Sequence, residues 1–407
     1  MNEPLPPAFA RLAWSNLLAQ SAEQLGLAAV PLVAVLALGA GAGETGLLAA
    51  AQTLPFLLLS LPLGLLADRM PRRALMSAAE WVRAAALLAL PVLAVAGLVS
   101  VPALAVLGFL AATGTAAYSV AAPSLVPSLV PRALLAAANG RLELVRSLAF
   151  AAGPALGGVL VAWTGASPAF LLAGLLSAGA ALLLRGLAEP PRPPAPPRPV
   201  LHDLREGAAF AWGHPLLRPI LLTAVAWNLS WFVLQGVYAA YAVGTLHLSA
   251  AEVGGTLAAY GAGMVAGAAL APRVVRALPF GRVILLGPAV SVLAALVMLA
   301  SVRWPGAALP ALSFFLFGAG PILWTIAQTT LRQAVTPAAL LGQVSALVTM
   351  ATFGARPLGG ALAALVGGVW GPAPCIALAA AGFAVQAGII LLSPVPRLAM
   401  LPETVAA

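Results

Sequence analysis

Of the 407 residues, 62% are hydrophobic and only 8% are charged, and the mean hydropathy is +1.03. A water-soluble domain is excluded by that balance, because the apolar runs are long enough to cross a hydrocarbon core of about 30 Å, which takes roughly 20 helical residues. All twenty basic residues are arginine and they gather in the breaks between apolar runs, so the net charge of +9 reports membrane topology and not nucleic-acid binding. The single cysteine, Cys375, excludes an intramolecular disulfide framework, and the three scattered histidines suggest neither a metal site nor another bound cofactor.

In chain order the first apolar run, 12 to 38, exceeds the apolar core of a signal peptide and is read as a retained helix. Further runs follow at 44 to 66, 74 to 98, 102 to 126, 137 to 162, 167 to 187, 218 to 242, 252 to 272, 281 to 302, 307 to 331, 342 to 366 and 373 to 394, giving twelve expected spans. With Arg11 on the cytoplasmic side, every second loop carries arginine, whereas the opposite side holds essentially Arg303 alone. That asymmetry places both termini and the longest loop in the cytoplasm, and the chain is expected in the plasma (inner) membrane. The longest loop, EPPRPPAPPRPV at 189 to 200, is too rich in proline to pack and favours extended polyproline II. The sequence therefore divides into a six-span bundle at 1–188, a linker with a short amphipathic interfacial helix at 189–217, and a second six-span bundle at 218–407. The halves echo each other, GETGLLAA at 43 to 50 against AEVGGTLAA at 251 to 259, and LLADR at 65 to 69 against ALAPR at 269 to 273. Parallel repeats of this kind point to a transporter with its site at the repeat interface.

The charges inside the spans carry the chemistry, because an ionisable group near the bilayer centre costs about 2.5 to 3.5 kcal/mol on insertion scales. Glu23 lies twelve residues beyond Arg11, about 18 Å along a helix, and so sits near mid-membrane. Asn16, Gln20, Glu23 and Gln24 share one face. We read Glu23 as the proton-coupling acid, against the alternative of a structural acid hydrogen-bonded to a neighbouring helix. Glu143 and Arg146 in the fifth span lie three apart; Glu143 is a second proton-coupling candidate, although a local ion pair explains it slightly better. Glu80 and Arg83 repeat the spacing in the third span and are expected to be structural or to join the charged cluster around Asp68. Arg356, in GARPLGG, has no carboxylate in its own span and needs a partner from elsewhere or an anionic substrate. The seventh span presents Asn228, Trp231, Gln235 and Tyr238 on one face, and the tenth adds Thr325, Gln328 and Thr329. With Asn16, Gln20 and Arg356 these form a candidate substrate cavity whose mix of aromatic and polar groups suits amphipathic ligands. Helix packing is the competing explanation for each aromatic residue.

Two motifs resemble a known family. Gly64, Leu66, Ala67, Asp68, Arg69, Arg72 and Arg73 match in register the first motif of the major facilitator superfamily, with Pro71 where glycine is usual. Gly153, Pro154, Gly157 and Gly158 in AAGPALGG match the core of that family's antiporter motif. REGAAFAWGHPLLR and TLRQAVTPAALLGQV further resemble the branch containing enterobactin exporters and macrolide efflux proteins. The resemblance implies an all-α membrane protein of twelve transmembrane helices in two six-helix bundles, with Gly64, Asp68, Arg69, Arg72 and Arg73 as a conformational latch. It implies secondary active transport, with proton-coupled efflux of amphipathic small molecules such as drugs or siderophores as the leading reading. An importer or facilitator, or a non-transporting receptor or scaffold, are the alternatives. No Walker loop or catalytic constellation is present, so neither an enzyme nor a nucleotide or nucleic-acid binder is expected. The expected partners are protons, membrane lipid and a small-molecule substrate, with the chain acting as a monomer.

Overall fold

The computed structural model describes residues 6–131, 134–189, 200–337 and 340–402. Among these residues, helices α1 (Pro7–Leu38), α2 (Ala42–Arg69), α3 (Arg72–Val95), α4 (Val101–Leu129), α5 (Leu135–Thr164) and α6 (Ala166–Arg185) make up the first half. The second half begins with α7 (Val200–Gly213), followed by α8 (Leu217–Gly244), α9 (Ala250–Ala277), α10 (Phe280–Ala300), α11 (Ala308–Val335), α12 (Leu341–Trp370) and α13 (Pro372–Leu391), with a 3₁₀ turn at Val395–Arg397. Each of the twelve apolar runs is a helix, and a short helix, α7, follows the linker where one is expected. Most of the proline-rich linker, 190–199, lies outside the described residues.

Most of the helices overrun their apolar stretches, whereas α3, α6, α10 and α13 end two or three residues before theirs. Helix α9 continues through Arg273 to Arg276, since arginine is a good helix former and a basic last turn complements the helix dipole. Eleven of the described helices are long and apolar enough to cross a membrane by length and composition. The twelfth long helix, α12, falls short because Arg356 and its glycines dilute the apolar run.

The chain forms two compact units. Unit 1 comprises residues 1–40, 51–196 and 248–258; unit 2 comprises 41–50, 197–247 and 259–407. In unit 1, α1 packs on α5 and α6, and α3 packs on α4 and α6. A core of Leu12, Met76, Tyr118, Leu125 and Leu184 lies among them. In unit 2, α8 packs on α12 and α13 and α10 on α11 and α13, around Ile220, Ile284, Leu331 and Ile390. The tail closes onto α10, whose unpaired first amides are taken by Leu398 and Ala399 carbonyls, at 2.8 Å from Gly281 N and 3.2 Å from Phe280 N.

Repetition of the two halves is written into the backbone. Gly165 joins α5 to α6 at φ 80°, ψ −176°, and Gly371 joins α12 to α13 at φ 80°, ψ −175°, a conformation that only glycine adopts without strain. The short similarity around Glu44 and Glu252 has a cause too. Each carboxylate accepts from a backbone amide just before its helix, Gly41 N at 2.9 Å and Ser249 N at 2.8 Å, in the manner of a capping box. Small residues then bring helices into backbone contact. In unit 2 a Cβ on Gly360 would lie 2.5 Å from Ala50 N, and in unit 1 a Cβ on Gly158 would lie 2.7 Å from Gly254 Cα.

Helix α7 rests on α12, with Gly207 against Gln343 and Gln343 Nε2 donating to Glu206 at 3.2 Å. At its end His214 caps α8: Nδ1 accepts from Leu216 N at 3.2 Å and Leu217 N at 3.4 Å. Burial lowers the imidazole pKa from its ordinary value near 6.5. The neutral ring is the form that can accept, so the cap is fully present above about pH 6.5 and is lost as pH falls through the lower folded-state value. Hydrogen exchange at Leu216 and Leu217, corrected for intrinsic rate, is expected to accelerate between pH 7.5 and pH 5 in the native chain and to lose that dependence in His214→Leu. An unchanged pH dependence in the variant would exclude the cap.

Candidate functional site

The polar stripe of α1 is held from three sides within unit 1. Asn16 and Gln24 are buried, while Gln20 and Glu23 are half-buried. Ser15 Oγ donates to the Ala180 carbonyl of α6 at 3.1 Å, and Arg83 Nη1 of α3 donates to the Ala19 carbonyl at 3.0 Å, one turn before Glu23. From α5, Gly153 sits so close to Gln24 that an added Cβ would collide with the Gln24 side chain. Gly157 continues the contact against Leu25 and Ala28. The Gln24 Nε2 is buried without a hydrogen-bond partner, an expensive feature at the turn that carries Glu23.

Arg83 belongs to a buried polar cluster. It pairs with Glu80 at 3.0 Å, and the two side chains are 3% and 0% exposed. Arg83 Nη2 donates to Thr115 Oγ1 of α4 at 2.8 Å, and Ser177 Oγ of α6 donates to Glu80 Oε2 at 2.5 Å and to its carbonyl at 3.1 Å. One ion pair thus ties α1, α3, α4 and α6 together, with hydrogen bonds to both charges offsetting the cost of desolvation. The i, i+3 spacing announced the pair; its partners on three other helices had no sequence signal.

The four small residues of AAGPALGG divide between two neighbours. Gly153 and Gly157 face α1, whereas the Pro154 carbonyl and Gly158 meet Gly254 at the start of α9. The Glu143 side chain lies outside the described residues, and Arg146 stands 5.4 Å over the ring of Phe150 in its own helix.

At the first motif, Gly64, Asp68 and Arg69 lie on α2, and the packing of Gly64 and the side chains of Asp68 and Arg69 lie outside what is described. The basic end is described, and it clamps α3 to α6. Glu189, just beyond α6, accepts from Arg72 N at 3.1 Å and Arg73 N at 3.0 Å, placing a carboxylate at the positive end of α3. In return Arg73 Nη1 donates to the carbonyls of Arg185 at 3.4 Å and Leu187 at 3.1 Å, and Arg11 donates to the Gly186 carbonyl between them. The unpaired carbonyls at the end of α6 are thereby satisfied by guanidinium groups from α1 and α3. In the sequence Arg11 is a topology marker and Glu189 the first residue of the linker, and neither carries a signal for closing a helix end.

In unit 2 the structure brings Asn228 and Arg356 together, Arg356 Nε donating to Asn228 Oδ1 at 3.2 Å. The guanidinium also lies 4.1 Å from the Phe353 ring centroid and 5.4 Å from that of Phe232. The arginine without a carboxylate in its helix is therefore partnered by an amide and two aromatic faces. Trp231 and Tyr238 are 7% and 2% exposed. Trp231 is enclosed by Trp227, Tyr260, Phe314 and Phe317, and Tyr238 packs edge-on to Phe314 at 4.6 Å. Both are members of the unit 2 aromatic core. Gln235 is half-buried, and Gln328 bonds locally to Thr329 Oγ1 at 3.0 Å.

These helices, with an intramembrane acid and close-packed glycine motifs, can be compared with known proteins. The family model for the Major Facilitator Superfamily matches residues 12–360. The chain belongs to the major facilitator superfamily. Among curated relatives, the multidrug efflux pump Tap of Mycobacterium tuberculosis (strain ATCC 25618 / H37Rv) is 31% identical over 226 residues, covering 53% of each chain. The enterobactin exporter EntS of Citrobacter koseri is 29% identical over 269 residues, covering 65% of this chain and 63% of that protein. The match therefore spans about half the length of the first of these relatives and under two thirds of the second. Among solved structures, a bacterial homologue of the iron transporter ferroportin superimposes with TM-score 0.73 at 18% identity, over 94% of this chain and 98% of that one. The POT family transporter PepTSo superimposes with TM-score 0.77 at 14% identity, over 96% of this chain and 98% of that one. At such identities the structures establish the fold alone. The chain is thus a multi-pass membrane protein of a transporter superfamily, and its relatives are transporters, not enzymes.

Within this superfamily fold, the Glu80–Arg83 pair gives a direct test of the cluster. Arg83→Met strands a buried carboxylate and is expected to cost about 3–5 kcal/mol, whereas adding Glu80→Leu removes both charges and recovers most of the loss. Reversible unfolding in mixed micelles measures both. Additive losses in the double variant would show that the two residues act separately.

Proposed function

We propose that this chain is a plasma-membrane exporter of amphipathic small molecules, exchanging them for protons by alternating access, with Glu23 as the residue that carries the proton. The observation that supports this best is the seat of the fifth helix's glycine motif on the turn of α1 that holds Glu23, Gly153 lying directly against Gln24. The half-buried carboxyl is held on a helix whose register is fixed from both sides. A proton taken from outside neutralises Glu23 and favours return to the inward-facing form; arriving substrate favours its release. The Tap and EntS relatives, a multidrug pump and a siderophore exporter by name, supply the substrate class of drugs or siderophores. In unit 2, Arg356, braced by Asn228 and two phenyl rings, is the proposed contact for an anionic or electron-rich part of such a ligand; in unit 1, Asn16 and Gln20 are the proposed polar contacts. Asp68 and Arg69 are the proposed latch, working from the loop whose basic end is already fixed to α6 by Glu189 and Arg73. The arginine asymmetry of the loops supports cytoplasmic termini, and one chain is taken as the working unit.

In inside-out vesicles energised by a proton gradient, uptake of a lipophilic cationic dye is expected to fall at least tenfold in Glu23→Gln, while downhill exchange of preloaded dye is retained. Unchanged gradient-driven uptake in the variant would remove Glu23 from coupling.

A further inference from the structure

Beside the clamp of α3 to α6, unit 1 carries an open cavity of about 610 Å³ lined by Pro71, Arg73, Ala74, Ser77, Ala78, Trp81, Leu184 and Arg185. The floor is one stripe of α3, since residues 74, 77, 78 and 81 recur at helical spacing and three of them are small. Ser77 Oγ is turned to the Ala181 carbonyl of α6 at 3.0 Å, so the floor offers an apolar trough and no hydroxyl. The rim is different. Arg73 is anchored by Nη1 to the end of α6, and the Arg185 guanidinium stands 5.2 Å from the Trp81 ring centroid. Arg73 and Arg185 are both exposed. The amides that open α3 are already taken by Glu189, so the positive character of the rim comes from the two guanidinium groups.

We propose that this groove is a binding site for one anionic glycerophospholipid of the surrounding bilayer. The phosphate lies between Arg73 and Arg185 and the first part of an acyl chain follows the trough of Ala74 and Ala78 down to Trp81. Charge complementarity and depth favour this occupant. A rim of two guanidinium groups meets an anionic headgroup, Trp81 closes the far end of the trough, and the trough runs along the length of α3, a helix long and apolar enough to cross a membrane. A free phosphate would fill the rim but leave the trough empty. The lipid bridges the same two helix ends that Glu189 and Arg73 join, and so adds to the fixation of the α3 and α6 termini.

Native mass spectrometry of the whole protein in detergent, titrated with phosphatidylglycerol or phosphatidylcholine, tests the assignment. One phosphatidylglycerol is expected to be retained over phosphatidylcholine. Arg185→Gln should weaken that retention about fivefold, the effect of one arginine near an anionic surface. Ala78→Phe, which fills the trough without touching a charge, should weaken it as well. Arg303→Gln, at an exposed arginine beside Trp304 outside this groove, should leave it unchanged. Equal retention in Arg185→Gln and native protein, equal loss in Arg303→Gln, or full displacement of the lipid by glycerol phosphate would each overturn the proposal.

Discussion

The organisation of unit 1 depends on one electrostatic constraint, the burial of the Arg83 guanidinium within the bundle. A guanidinium there must find an acid and enough acceptors, and it finds them on four helices: Glu80 in α3, the Ala19 carbonyl in α1, Thr115 in α4 and, through Glu80, Ser177 in α6. Hydrocarbon-facing surfaces give helices little reason to choose one register over another, since lipid tails are as apolar as leucine. A shared ion pair supplies that choice. It fixes the height of α1 against α3, and with it the position of Glu23 one turn further on.

Close approach through small residues provides the second constraint, and it acts where charge does not. Helix α5 meets α1 and α9 through glycines, and α12 meets the start of α2 in the same way at Gly360 and Ala50. The matching hinges at Gly165 and Gly371, with the matching caps at Glu44 and Glu252, show that both halves follow one plan. Their chemistry differs inside that plan. Unit 1 encloses an ion pair, whereas unit 2 encloses a cluster of aromatic rings around Trp231 and holds its arginine, Arg356, against an amide and two phenyl groups.

Much of this was legible in the sequence. The spans were visible because hydrocarbon thickness imposes a run of about 20 apolar residues, and their true ends were not, because arginine and glutamate extend a helix into water without any apolar signal, as α9 does to Ala277. The motifs around Gly153 and Gly64 identified the family before any contact was known. The ion pair at Glu80 and Arg83 was visible as a spacing, but its closure by Ser177 depends on how α6 docks, which no local pattern encodes. The polar and aromatic face of α8 illustrates a further limit: Asn228 and Trp231 share a face, yet one meets Arg356 and the other meets the rings of α11. Periodicity gives direction and says nothing of the neighbour. Glu189 was hidden for a related reason, because an acid in a linker becomes a helix cap only once the helix end it serves is beside it.

The account rests on assigning the exchangeable proton to the half-buried carboxyl of α1 and not to the enclosed one of α3. Infrared difference spectra of the protein in bilayers, recorded across a pH titration, measure this directly through the carbonyl stretch of a protonated carboxyl. A titrating band that disappears in Glu23→Gln is the result expected; a band that persists unchanged in that variant would contradict the assignment and move the coupling site to another acid.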